Sequence, residues 1–124
     1  MLGNRNAVAN LAVRDLDRAR DFYTGTLGLR EVDHEGDELI VLESGDSKVN
    51  VYRSHYAGTN EATAVTWAVD DIDAEVESLK SKGVMFEHYD MPGLALDGDV
   101  HVGDDMKVAW FKDPDGNILN IVGR

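Results

Sequence analysis

The feature that most limits how this chain can fold is an internal repeat. Val13-Arg14-Asp15-Leu16-Asp17 returns as Val69-Asp70-Asp71-Ile72-Asp73, an offset of 56 residues from Val13 to Val69. Each copy closes a short apolar run, at 7 to 13 (AVANLAV) and 63 to 69 (TAVTWAV), and opens a helix-like one. Asp15 can accept from the free amides of a first helical turn, and Leu16, Ala19, Phe22 and Tyr23 then recur at helical spacing, which predicts a helix to about Thr24. Asp71 plays the same part before Ile72, Val76 and Leu79. Lys80 and Lys82 suit the negative end of that helix and Gly83 its left-handed stop, so it is predicted to end near Lys82.

The segments beyond the two helices repeat as well. Gly28–Glu31 and Gly83–Glu87 lead into second strands. Further strands are expected from Glu38 to Glu43 and Lys48 to Arg53, and again from Met106 to Lys112 and Asn117 to Val122. The last pair is joined by Asp113-Pro114-Asp115-Gly116, the residue order a type I turn wants. Each half therefore reads β-α-β-β-β. In 124 residues neither half has enough chain for an independent core, because a core of about 60 residues is marginal. The expectation is one α+β domain over 1–124, with module one at about 5–56 and module two at about 61–124. The strands should form a curled mixed sheet around a cleft, with the helices outside.

Charge and composition then remove whole classes of function. Lys plus Arg number 12 against 24 Asp plus Glu, a net charge of -12, which repels phosphate backbones and anionic lipid. Neither nucleic acid nor a membrane is an expected partner. The absence of cysteine excludes disulfides, thiolate nucleophiles and Cys-ligated metal. The apolar runs are too short to span a bilayer and the first residues lack the continuous apolar stretch of a signal peptide, so the expected location is cytoplasmic.

The run from Leu11 to Leu29 (LAVRDLDRARDFYTGTLGL), its weaker repeat from Trp67 and the closing Phe111–Asn120 (FKDPDGNILN) resemble the glyoxalase/bleomycin resistance protein/extradiol dioxygenase superfamily, the vicinal oxygen chelate proteins. That resemblance covers nearly the whole chain. It implies paired β-α-β-β-β modules around a cleft, a homodimer, and in the family's enzymes a divalent metal held by four inward side chains, usually His and Glu. Carried over residue by residue, the first-strand places fall on Val8 and Ala64, and the last-strand places on Asn50 and Asn120. Two hydrocarbons and two neutral amides do not replace a His/Glu set, so no metal and no other cofactor is expected. The remaining histidines, His34, His55, His88 and His101, match no zinc spacing. Asp113, Asp115 and Asn117 imitate a calcium loop, but Ile118 and Arg124 stand where such a loop needs Gly and Glu.

Strand alternation turns Asn10 and Thr66 to the same side as Val8 and Ala64, and sends Leu11, Val13, Trp67 and Val69 beneath the helices. The same rule brings Asn50, Tyr52 and Asn120 into the cleft, with Trp110 if Phe111 packs outward. Amides, a hydroxyl and aromatics can stack on and hydrogen-bond a planar polar molecule, so Asn10, Asn50, Tyr52, Thr66, Trp110 and Asn120 are the candidate ligand-binding residues. Residues 90–105, rich in Gly and Asp, read as a loop folding over the cleft mouth, and His88 and His101 beside it are the candidates for proton transfer or hydrogen bonding. The leading functional expectation is a metal-independent small-molecule binding protein for an aromatic or cationic natural product. The alternative is a glyoxalase-like lyase, isomerase or dioxygenase that uses a metal or a histidine acid/base.

Overall fold

In the computed structural model, which describes residues 1–123, the repeat becomes two modules, each with its own sheet. Module one comprises β1 (Ala9–Val13), α1 (Leu16–Arg20), β2 (Arg30–Glu35), β3 (Leu39–Ser44) and β4 (Ser47–Arg53), in the sheet order β1-β4-β3-β2. Module two comprises β5 (Thr63–Ala68), α2 (Ile72–Ser81), β6 (Phe86–Glu87), β7 (Ala95–Asp97), β8 (Val100–Val102), β9 (Lys107–Lys112) and β10 (Ile118–Gly123), in the order β5-β10-β9-β8-β7, with β6 also on β9. The architecture is α+β. In both modules the first strand lies parallel to the last, Asn10 opposite Asn50 and Thr66 opposite Asn120. A parallel pair cannot be closed by a tight turn, and the helix with its subsequent strands supplies the return path.

The helices begin where their caps require. The Asp15 carboxylate accepts from Arg18 N–H and that of Asp71 from Ala74 N–H, each at 3.1 Å. Leu16 and Ala19 from α1, and Ile72, Val76 and Leu79 from α2, are buried. With Leu11, Val13, Ile40, Leu42, Val49, Val51, Phe111, Leu119 and Ile121 they form one apolar cluster that draws on both modules. Each helix covers one face of its own sheet and leaves the other face free of helix.

Two elements differ from their predicted form. The first helix keeps α geometry only to Arg20 and continues as a π-helix over Asp21–Thr26, closed by Leu27 N–H to Phe22 C=O at 2.9 Å. The Thr24 hydroxyl donates to the Arg20 carbonyl at 2.6 Å, which competes with the regular ladder. The wider turn accommodates both Phe22, packed on Phe111, and the fully buried Tyr23. The second difference lies in 90–105, expected as a loop, which contains the β7–β8 hairpin turning at Gly98-Asp99 with Gly98 at φ +63°. The strand expected at 83–87 shrinks to β6, and β8 joins it on β9, with His101 opposite Val108. Gly-Asp between alternating side chains, with Gly at the first central position, is itself a hairpin signal.

The modules are stitched at the Asp-Pro-Asp-Gly-Asn turn. Tyr23 OH donates to Asp113 Oδ2 at 2.7 Å, and Asn117 Nδ2 donates to the same oxygen and to the Ala12 carbonyl, both at 2.8 Å. Asp113 Oδ1 accepts from the backbone N–H groups of Asp115 and Asn117. Burial, reinforced by the adjacent Asp113 carboxylate, pushes the Tyr23 phenol far above its ordinary pKa. These carboxylate oxygens are occupied by N–H and O–H donors, so the segment is a structural turn and does not present a calcium loop.

Candidate functional site

The candidate side chains emerge on the helix-free faces because the strands alternate. Leu11 and Val13 are buried under the helices while Asn10 between Ala9 and Leu11 is exposed, and Val65 and Trp67 turn inward while Ala64, Thr66 and Ala68 are exposed. On module one, Asn50 Nδ2 donates to Asn10 Oδ1 at 3.2 Å, and Tyr52 lies at the next position on the same helix-free side of β4. On module two, Thr66, Asn120 and Trp110 are successive cross-strand neighbours on β5, β10 and β9. The six predicted binding residues are thus gathered into two groups of three, one on each sheet. The repeat relates the groups: Asn10 and Thr66 are equivalent first-strand positions, and Asn50 and Asn120 are their last-strand partners.

The second group is the more enclosed. Trp110 and Asn120 are only 9% and 8% exposed although no helix covers them, because the segment after β6 folds back over the sheet. The Tyr89 ring stands edge-on to Trp110 at 5.3 Å and that of His101 at 4.9 Å. Trp110 Nε1–H donates to Thr63 Oγ1 at 3.1 Å, which fixes the indole. Among the described residues four buried side-chain polar atoms lack a partner, and three of them, Asn120 Oδ1, His101 Nδ1 and Tyr89 OH, belong to this cluster. A depression of about 520 Å³ opens beside it, lined by Thr63, Tyr89, Met91, Trp110, Lys112 and Ile118. The depression thus offers the edges of Tyr89 and the immobilised Trp110, and the unpartnered polar atoms lie buried behind it.

The two candidate histidines stand in different surroundings. His101 is buried, and its Nε2 lies 2.9 Å from the backbone nitrogen of Tyr89. An N–H can only donate, so Nε2 accepts and the ring proton sits on Nδ1, which is buried without a partner. His88 is exposed, its Nε2 2.8 Å from Asp99 Oδ1, and Asp99 Oδ2 is paired with Lys80 at 2.8 Å. Hydrogen bonds from Lys80 and then His88 hold the Asp99 carboxyl below its ordinary pKa. Sequence reasoning missed Tyr89, Thr63 and Asp99. Asp99 was discoverable from the Gly98-Asp99 hairpin signal, whereas Tyr89 lies just past a two-residue strand whose alternation is too short to read.

The donor set at the four places carried over from the family's metal ligands does not fit a divalent ion. Val8 and Ala64 offer no lone pair, and Asn50 is engaged with Asn10. Among the described residues no three His, Cys, Asp or Glu side chains converge as a metal site. No described helix is long and apolar enough to cross a membrane.

Comparison with known proteins gives a consistent result. Residues 6–121 match the family model described as the glyoxalase/bleomycin resistance protein/dioxygenase superfamily. The fold is shared with the antibiotic-binding protein TnmS3 from Streptomyces sp. CB03234, at 19% identity, TM-score 0.66 and 97% coverage of both chains. It is shared with lactoylglutathione lyase from Agrobacterium tumefaciens at 16% identity and TM-score 0.71, covering 97% of this chain and 93% of that one. A glyoxalase/bleomycin resistance protein/dioxygenase from Alicyclobacillus acidocaldarius is similar at 20% identity and TM-score 0.72, covering 97% and 91%.

Proposed function

Because the chain belongs to the glyoxalase/bleomycin resistance protein/dioxygenase superfamily, we propose that it acts as a metal-independent binder of a small planar molecule of aromatic or cationic character. One observation carries this reading: the corner where that fold would place an anionic ligand holds Asn120, buried, neutral and with its carbonyl oxygen unpartnered beside Trp110. An amide there can orient a guest by a hydrogen bond but does not offset the charge of a cation stripped of water. Trp110 and Tyr89, which line the adjoining depression, supply stacking area. The name of TnmS3, an antibiotic-binding protein, supports the same reading.

The complete cleft is formed in a cytoplasmic homodimer, in which the open face of one module meets that of a second copy. The exposure of Val8, Ala64, Thr66, Ala68 and Tyr52 on those faces supports this, as does the attachment of the two modules through their opposite faces. Sedimentation at micromolar concentration should give twice the chain mass of 13.7 kDa. Titration of planar heteroaromatic and aromatic cationic compounds, followed by Trp110 fluorescence and calorimetry, should find saturable binding that weakens by about ten- to a hundredfold in Asn120→Ala or Trp110→Ala. Absence of any binding tighter than millimolar across such a panel would overturn the reading. The 2.8 Å pairing of His88 with Asp99 favours one second reading, a metal-free enzyme with His88 as acid/base, for which turnover must be found and must be lost in His88→Gln.

A further inference from the structure

We propose a second ligand site, on the helix side of the junction between the modules, that takes a small hydrophobic cation such as an arylalkyl ammonium. The site is a separate crevice of about 250 Å³, remote from the helix-free faces, floored by Trp67, Leu79 and Ile121 and walled by Leu27, Leu29 and Val69. Its apolar floor remains open although the surrounding core is closed: Trp67, Val69, Leu27 and Leu29 are each only partly buried against that core. An apolar recess left unfilled between two packed units is where a guest gains most from leaving water.

Its charge selects the guest. The charged side chains at its rim are Glu43 and Glu75. Glu43 is paired with Arg30, whereas Glu75, exposed on α2, has no ion-pair partner among the described residues. A monocation with its head at Glu75 and its aromatic body against the Trp67 ring gains a counter-charge and an apolar stacking contact together. The indole is already immobilised, since its Nε1–H donates to Ser44 Oγ at 2.9 Å, so binding does not have to restrain it. The net charge of -12 raises the local concentration of cations around the molecule and lowers that of anions.

The chain has two tryptophans, Trp67 in this crevice and Trp110 on the open face of module two, so two indole N–H resonances report the two sites separately. Phenethylammonium titrated into 15N-labelled protein should shift the Trp67 indole saturably, with Trp67→Phe used for assignment. The apparent Kd should weaken roughly three- to tenfold in Glu75→Gln and on replacing the probe by uncharged 2-phenylethanol. Unchanged thermal midpoints for Glu75→Gln confirm an intact fold. A shift at Trp110 alone would place the cation in the other face and overturn the proposal. No saturable shift at Trp67, or equal affinity of Glu75→Gln and the parent protein, would overturn it too. Because the open-face reading depends on Trp110 and Asn120, either proposal can fail while the other stands.

Discussion

At the scale of single residues the most consequential contact is Tyr23 OH to Asp113, since it lies inside the core and joins the two halves of the sequence. Tyr23→Phe leaves the ring's packing intact but removes one donor from a buried carboxylate, a change expected to cost about 1.5–3 kcal/mol in urea unfolding at pH 7. The contact also sets a pH response. The folded-state pKa of Tyr23 is raised, so its stabilisation is fully present below the unfolded phenol value of about 10 and declines as pH rises above it. Unfolding free energies measured from pH 8 to 11 should therefore fall more steeply in the parent protein than in Tyr23→Phe, and parallel curves would refute the assignment. The candidate binding residues teach a related lesson. Strand alternation alone puts Asn10, Asn50, Thr66 and Asn120 on one side of their strands, but the burial that distinguishes Asn120 from Asn10 is not visible in it, because that burial depends on where Tyr89 and His101 fold.

At the scale of elements, the connection between β4 and β5 is held to the Asp113 turn by a close backbone approach. Gly58 has φ +72°, and a Cβ there would lie 2.0 Å from the Asp115 carbonyl oxygen. Gly58→Ala must therefore move one backbone against the other and is expected to cost about 2–4 kcal/mol, read as a lowered urea midpoint with an unchanged slope. Gly45→Ala, in the β3–β4 turn at φ +56° with nothing within 4 Å of the added carbon, is the control and should cost about 1 kcal/mol. Both helices and most strands were legible because their signals are local: an aspartate cap, a helical apolar spacing, and a turn residue order. The π-helix was not, since the wide turn answers to Phe22 and Tyr23 reaching partners 89 and 90 residues away in sequence. The sharing of the β9 edge between β6 and β8 was not legible for a similar reason, because it is a matter of tertiary pairing that alternation over two or three residues cannot announce.

At the scale of the whole molecule, an excess of acid over base makes the folded state repel itself. Raising NaCl from about 20 to 200 mM shortens the screening length and should raise the melting temperature by about 3–5 °C, the shift that ~1 kcal/mol produces in a chain of this size. The chelating places offer a constructive test of the carry-over from the family. Joint replacement Val8→His, Asn50→Glu, Ala64→His and Asn120→Glu should create stoichiometric zinc or nickel binding, measured by elemental analysis, that the parent protein does not display. If the replaced side chains bind no metal in a variant of unchanged circular dichroism, the four positions do not share a corner. The tie between Tyr23 and the far turn has one more consequence. Severed between Asn60 and Glu61 and made as two polypeptides, neither piece can close its own interior. Mixed, each supplies the other's missing wall, so the pair would behave as a complementation system whose recovered fluorescence or activity reports that two fused partners have met.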